Sequence, residues 1–216
     1  DAITCAYTLP WNLAAFRTEH PSVIFSYQHL PTDKLLEKLL SEELDIALIG
    51  YEIKHQKVYS QECFKDEIVL VGHPDLLPDE IELSELPGIP LGWLNNDKGL
   101  SMRISHDLAS AGMPLKKLNV FMEVEDLTIL KSFMRTGVAC AFLPKIAIED
   151  ELKYGLLKII PINGVDIRRT TYLIHRRTKH TKEIVAEFIK FIDARLYEEN
   201  RKWIETHPDV VANNKT

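Results

Sequence analysis

The side chains in this sequence that could do chemistry lie in short polar stretches, and none of those stretches is a catalytic signature. Asn95, Asn96, Lys98 and Ser101 offer hydrogen-bond donors close together, where a helical pattern begins. A helix N-terminus adds unpaired N–H groups and partial positive charge, which suit a small anion such as a carboxylate. Glu123 and Glu125 flank the end of a strand-like run and, with Asp126, would instead favour a cationic group or a hydroxyl, so the sign of a pocket built from both stretches stays open. Each residue also has a plainer duty. Ser101 and Asp126 can cap helices, Asn95 and Asn96 are common turn residues, and Lys98 can simply be solvated. Tyr7 and Trp93 sit at the ends of strand-like runs, where a ring could stack on a ligand or pack into a core.

Signatures of catalysis are missing. The sequence has no GxSxG, no phosphate-binding glycine loop and no HExxH, and its histidines are not set at metal-ligand spacing. No catalytic residue, metal site or cofactor is therefore expected, although triads assemble in space and an enzyme stays a third alternative. Cys5, Cys63 and Cys140 are odd in number and lack CxxC spacing, which argues against a disulfide framework and for a reducing cytoplasm. Cys140, inside an apolar run, reads as packing. The net charge of -6 and the want of a long basic stripe leave nucleic-acid binding by these residues without an electrostatic source. The densest basic stretch, residues 175–182, reads as a solvated loop. No apolar run approaches the roughly 18 residues of a membrane helix, so no membrane partner is expected.

The elements that must position these residues alternate between strand and helix. Residues 3–7 read as a strand, and Pro10 suits the first turn of a helix that follows. Residues 23–27 read as a second strand. Thr32 or Asp33 can cap a helix with Leu35, Leu36, Leu39, Leu40 and Leu44 at helical spacing. Residues 46–49, apolar throughout and closed by Gly50, resemble a strand buried on both faces, the pattern of a parallel sheet under helices. After an apolar run at 68–72 and a proline-rich connection at 73–80, the alternation resumes: a strand near 89–94, a helix from about Ser101 to Gly112, and a strand at 120–124. A helix capped by Asp126 or Thr128 then runs through Arg135 and is ended by Gly137, followed by a strand at 138–143, a helix that Pro144 starts and Gly155 stops, and strands at 156–160 and 170–175. A helix capped by Thr181 comes last, and residues 195–216 read as polar with a frayed end. The fold class is α/β.

Several of these segments, in this order, resemble the effector-binding domain of LysR-type transcriptional regulators. Residues 16–23 resemble that family's helix end and following "hyP-V" turn, and residues 35–50 its "LL..L..GELDLAI.G" segment. Residues 66–75 resemble its crossover strand, and residues 82–91 its entry into a second lobe. Residues 125–144, a helix, a glycine turn at Gly137, a buried strand and Pro144, are the most specific match. The likeness covers about residues 3–195. The short turn at residues 7–10 departs from the family's longer, Gly- or Ser/Thr-rich opening.

The resemblance implies two Rossmann-like lobes joined by two crossover strands, like a type 2 periplasmic binding protein. Residues 1–73 and 171–197 would form lobe I, residues 74–170 lobe II, and residues 198–216 a C-terminal tail. It implies a small-molecule effector between the lobes, an anion or carboxylate among the candidates, with contacts at strand ends and helix N-termini. Those positions are Tyr7, Thr8, Leu9, Gly50, Asn95, Asn96, Lys98, Ser101, Glu125 and Asp126. It also implies a homodimer or tetramer, and DNA binding only through an N-terminal winged helix-turn-helix absent from these residues, so the chain is expected to be a fragment. The runner-up is a transporter's solute-binding protein of the same fold; an upstream helix-turn-helix or a signal peptide would separate the two.

Overall fold

A computed structural model describes residues 2–76, 78–95, 97–178 and 181–206. In chain order the elements are α1 (Ala2–Glu19), α2 (Thr32–Leu40), β1 (Ile46–Ile49), β2 (Val58–Gly72), β3 (Ile81–Glu82), β4 (Pro90–Leu94), α3 (Lys98–Ser110) and β5 (Asn119–Val124). They continue with α4 (Leu127–Arg135), β6 (Ala141–Pro144), α5 (Glu149–Lys153), β7 (Lys158–Ile159), β8 (Ile162–Asn163), β9 (Ile167–Arg176) and α6 (Glu183–Thr206). Three 3-10 turns, Leu83–Gly88, Leu115–Lys117 and Lys145–Ile148, link them.

The chain divides into two compact units. Unit 1 holds residues 1–7 and 66–169, unit 2 residues 8–65 and 170–216. Helix α1 and strands β2 and β9 each contribute residues to both.

In unit 1, β4 and β5 pair in parallel, and Leu91 bridges in parallel to Cys140 just before β6. The far half of β2 pairs antiparallel with β6, Ile68 opposite Pro144 and Val71 opposite Ala141. Around these strands lies one core in which Leu86, Leu91, Leu108, Leu130, Met134, Leu143 and Ile148 are fully buried. Each such side chain stabilises the fold by roughly 1.5–3 kcal/mol relative to exposure. Helix α3 and helix α4 supply their share at helical spacing, Leu100, Ile104 and Leu108 from one and Leu130 and Met134 from the other.

In unit 2, β1 is covered on both faces. Ala47 and Ile49 pack with Leu35 and Leu39 of α2, while Ile46 and Leu48 turn to the cluster of Cys63, Leu173, Phe188 and Ile192. Phe16 of α1 sits edge-on to Phe188 and Phe191 of α6, at centroid distances of 5.1 and 5.3 Å.

The structure corrects several expectations. Residues 3–7 form no strand and lie in α1, where Ile3 and Tyr7, four apart, share one helical face on the unit 1 core. A short β-rich run also fits that spacing, so alternation alone could not decide. Thr8 and Leu9 consequently lie inside α1, not ahead of a helix, and Pro10 lies within it. Residues 23–27 form no strand and are mostly exposed, since an apolar pattern becomes a strand only where a neighbouring backbone completes its ladder. Strand β1 is doubly covered as expected, but it pairs antiparallel with β9, Ile46 opposite His175. The parallel pairs are β4–β5 and β3–β8. Helix α3 starts at Lys98 rather than Ser101, and the segment after Pro144 is a 3-10 turn followed by the short α5. The strand expected at 156–160 contracts to β7. The tail expected from residue 198 is helical to Thr206, and its expected frayed end at 207–216 lies outside the described residues.

Candidate functional site

Strands β4 and β5 end side by side, Leu94 opposite Val124, and each is followed within three residues by a helix. In a parallel sheet this edge collects loop side chains and helix N-termini on one side, where ligands bind in α/β folds. In unit 1 the edge is tied together by its own polar groups. The Asn95 N–H donates to the Val124 carbonyl at 2.8 Å, and Asn95 Nδ2 donates to Glu123 Oε2 at 2.6 Å. Ser101 Oγ donates to the Leu94 carbonyl at 3.0 Å.

Both helices open on an aspartate. Asp97 Oδ1 accepts the Leu100 N–H at 2.9 Å, and Asp126 Oδ1 accepts those of Thr128 and Ile129 at 2.7 and 3.1 Å. The backbone N–H groups of Ile129 and Thr128 hold the Asp126 carboxyl below its ordinary range. The position of α4 is fixed from below by Gly92, where a Cβ would come within 2.5 Å of Leu130 Cδ1. An anion approaching these two helices would meet amides that already serve carboxylates. Exposed Glu123 and Glu125 add acceptors to the same edge, and exposed Lys98 adds the nearby cation.

Of the residues nominated from sequence, the structure brings together Asn95, Lys98, Ser101, Glu125 and Asp126 at this edge. Ser101, read as a cap, serves the β4 end instead, and the cap on α3 is Asp97. Asn96 lies outside the described residues. Tyr7 belongs to unit 1, where its hydroxyl accepts from Lys131 Nζ at 3.0 Å; the same amine pairs with Glu151 at 3.0 Å. Thr8 and Leu9 belong to unit 2, with Thr8 buried and its carbonyl accepting from Asn12 Nδ2 at 2.9 Å. Gly50 follows β1 in unit 2.

Sequence reasoning passed over Asp97, Lys131 and Arg169. Asp97 carried a readable signal, an aspartate directly before a helical pattern. Arg169 carried a subtler one, standing between Ile167 and Thr171 on the inward-facing side of a strand. Nothing local marks Lys131.

Among the described residues no group of three or more His, Cys, Asp or Glu could hold a metal ion, and no helix is long and apolar enough to cross a membrane. Cys5, Cys63 and Cys140 are buried and form no disulfide, and burial pushes the Cys140 thiol up to about 12.

The family described as LysR substrate binding domain matches residues 2–196. The chain belongs to this family. Its fold is accordingly the type 2 periplasmic-binding-protein-like α/β fold of LysR effector-binding domains. Among its relatives, a probable RuBisCO transcriptional regulator of Nostoc sp. is 27% identical over 86% of this chain and 57% of that protein. A probable RuBisCO transcriptional regulator of Synechocystis sp. is 26% identical over 96% of this chain and 60% of that protein. The chain thus spans about three fifths of the length of these curated relatives. Solved LysR-family structures share the fold. The Synechocystis PCC6803 CcmR regulatory domain in complex with 2-PG superposes with a TM-score of 0.76 at 16% identity, covering 89% of this chain and 93% of that one. The effector binding domain of QuiR in complex with shikimate gives 0.70 at 21% identity, covering 88% and 90%.

Proposed function

We propose that this chain is the effector-sensing part of a LysR-type transcriptional regulator, which binds a small molecule and passes its occupancy to a DNA-binding segment of the whole protein. The observation that carries this reading is the family match over residues 2–196, supported by regulatory-domain neighbours described as complexes with small molecules. Units 1 and 2 stand for the two lobes of the family fold, and the regulator works in the cytoplasm without turning its effector over. An effector acts only through its differential affinity for two conformations, so the chain needs selective contacts and no reaction chemistry.

We assign the contacts to Tyr7, Asn95, Asn96, Lys98, Ser101, Glu125 and Asp126 of unit 1. With aspartates already capping α3 and α4, the ligand class that suits the β4–β5 edge is a small hydroxylated carboxylate. Asn95, Glu123 and Glu125 take its hydroxyls, and Lys98 takes its one negative charge. Titration calorimetry with shikimate and a panel of sugar acids tests this. Binding by a member of the panel, weakened at least tenfold in the Asn95→Ala and Lys98→Ala variants, is the expected result. Uniform failure to bind, or binding indifferent to both substitutions, removes the assignment.

The partner is a second copy of this chain. Phe121 on β5 and Ile129 and Phe133, one turn apart on α4, are exposed large apolar side chains of unit 1, and Trp11, Ile24 and Tyr27 are exposed in unit 2. Exposed large apolar side chains in each unit favour self-association. Light scattering gives a dimer or tetramer mass for the native chain and a smaller mass for a Phe121→Glu, Phe133→Glu variant; a native monomer at high concentration contradicts the pairing.

A further inference from the structure

Three charged side chains cluster in unit 1, two acids to one base, with Asp97 and Arg169 buried and Asp66 nearly so. Asp66 comes from β2, Arg169 from β9 and Asp97 from the residue that opens α3; their side chains are 15%, 5% and 7% exposed. Arg169 lies 3.9 Å from Asp66 Oδ2 and 3.6 Å from Asp97 Oδ2, contacts of charge rather than of hydrogen bonding. Neither Oδ2 accepts a hydrogen bond from a described residue. A guanidinium keeps its proton, so with both carboxylates ionised the cluster carries one uncompensated negative charge in a low-dielectric interior.

The geometry of the two acids decides where a proton goes. Asp97 is committed through Oδ1 to the Leu100 N–H and is the nearer of the two to Arg169. Asp66 is farther from the guanidinium. Its other neighbours are the backbone N–H groups of Ile146 and Glu67, which favour the charged form, and the Glu67 carboxylate, which opposes it and is itself paired with Lys145 at 3.3 Å. Cys5 of α1 is a further titratable group that acts on Arg169.

We propose that this cluster is a proton-binding site: acidification protonates Asp66, leaves Arg169 wholly to Asp97, and so tightens the cap on the first turn of α3. Burial is the largest influence on the Asp66 carboxyl and raises it to about 6 against the opposing pull of Arg169. The folded chain therefore takes up this proton at a higher pH than the unfolded chain. The associated stability is fully present below about pH 4 and is lost as pH rises through about 6. The device acts whether or not an effector occupies the β4–β5 edge.

Thermal melts of the 216-residue chain and of Asp66→Asn across pH 5 to 7.5 test it, together with a carbon-detected titration of the Asp66 carboxyl by NMR. The melting temperature of the native chain falls across this window relative to that of the variant, and the Asp66 carbon titrates near 6. Exchange of the Leu100 amide, corrected for its intrinsic pH dependence, is severalfold slower at pH 5 than at pH 7.5, and Asp97→Asn abolishes that difference. Parallel melting curves, or a carboxyl midpoint in the ordinary range near 4, overturn the proposal. Should Asp66→Asn fail to fold, the carboxyl titration and Leu100 exchange of the native chain decide it alone.

Discussion

Asp97 serves two partners with its two oxygens: Oδ1 holds the Leu100 N–H at the start of α3, and Oδ2 stands 3.6 Å from the guanidinium of Arg169. The loop after β4 is thereby anchored both to its own helix and to strand β9. Removing this carboxylate takes away a cap worth about 1 kcal/mol and leaves Arg169 with Asp66 at 3.9 Å as its remaining acid in the cluster. Asp97→Ala is therefore expected to lose about 1–2 kcal/mol in urea unfolding, and Asp97→Asn, which keeps an acceptor for Leu100, distinctly less. Equal losses in the two variants would mean that only the charge matters.

Glu42 is the one non-glycine with positive φ among the described residues, at 68°. It stands where the LysR family's "GELD" segment has glycine. The left-handed conformation costs an L-residue roughly 1–2 kcal/mol, while the solvent-facing pair of Glu42 with Arg176 at 2.7 Å returns at most about 1 kcal/mol. Glu42→Gly is thus expected to leave stability unchanged or raise it by up to about 1 kcal/mol, read from the denaturation midpoint; a clear loss would assign the ion pair the larger share.

Gly72 ends β2 against Cys140, and a Cβ there would lie 2.5 Å from the Cys140 Sγ and 3.2 Å from Ile160 Cδ1. Both neighbours are fully buried, so Gly72→Ala forces repacking at a cost of about 1–3 kcal/mol. Adding Cys140→Ala removes the sulfur and is expected to recover part of that cost, a coupling visible in a double-mutant cycle. The same burial makes the Cys140 thiol inert: at pH 7.5 iodoacetamide should label it only after unfolding, as followed by mass spectrometry.

Much of this was legible in the residues themselves. The leucines of α2, the apolar β1 closed by Gly50, the aspartate opening α4 and the glycine at 137 with φ of 78° are local signals, set by side-chain periodicity and backbone sterics. Ordered along the chain they also carry the family likeness. Residues 3–7 and 23–27 went otherwise because a β-rich run of five residues has no structure of its own; Ile3 and Tyr7 found a helical face on a core built from residues more than sixty positions away.

By itself, then, the sequence determined the α/β class, the placement of most helices and strands, and the family. The tertiary structure alone decided that β1 pairs antiparallel, that the helix N-termini nominated for an anion already hold aspartates, and that Asp66, Asp97 and Arg169 cluster together. Periodicity and caps are written within a few neighbouring residues. Strand pairing and the burial of charge depend on which distant segments meet, and only the folded chain fixes those encounters.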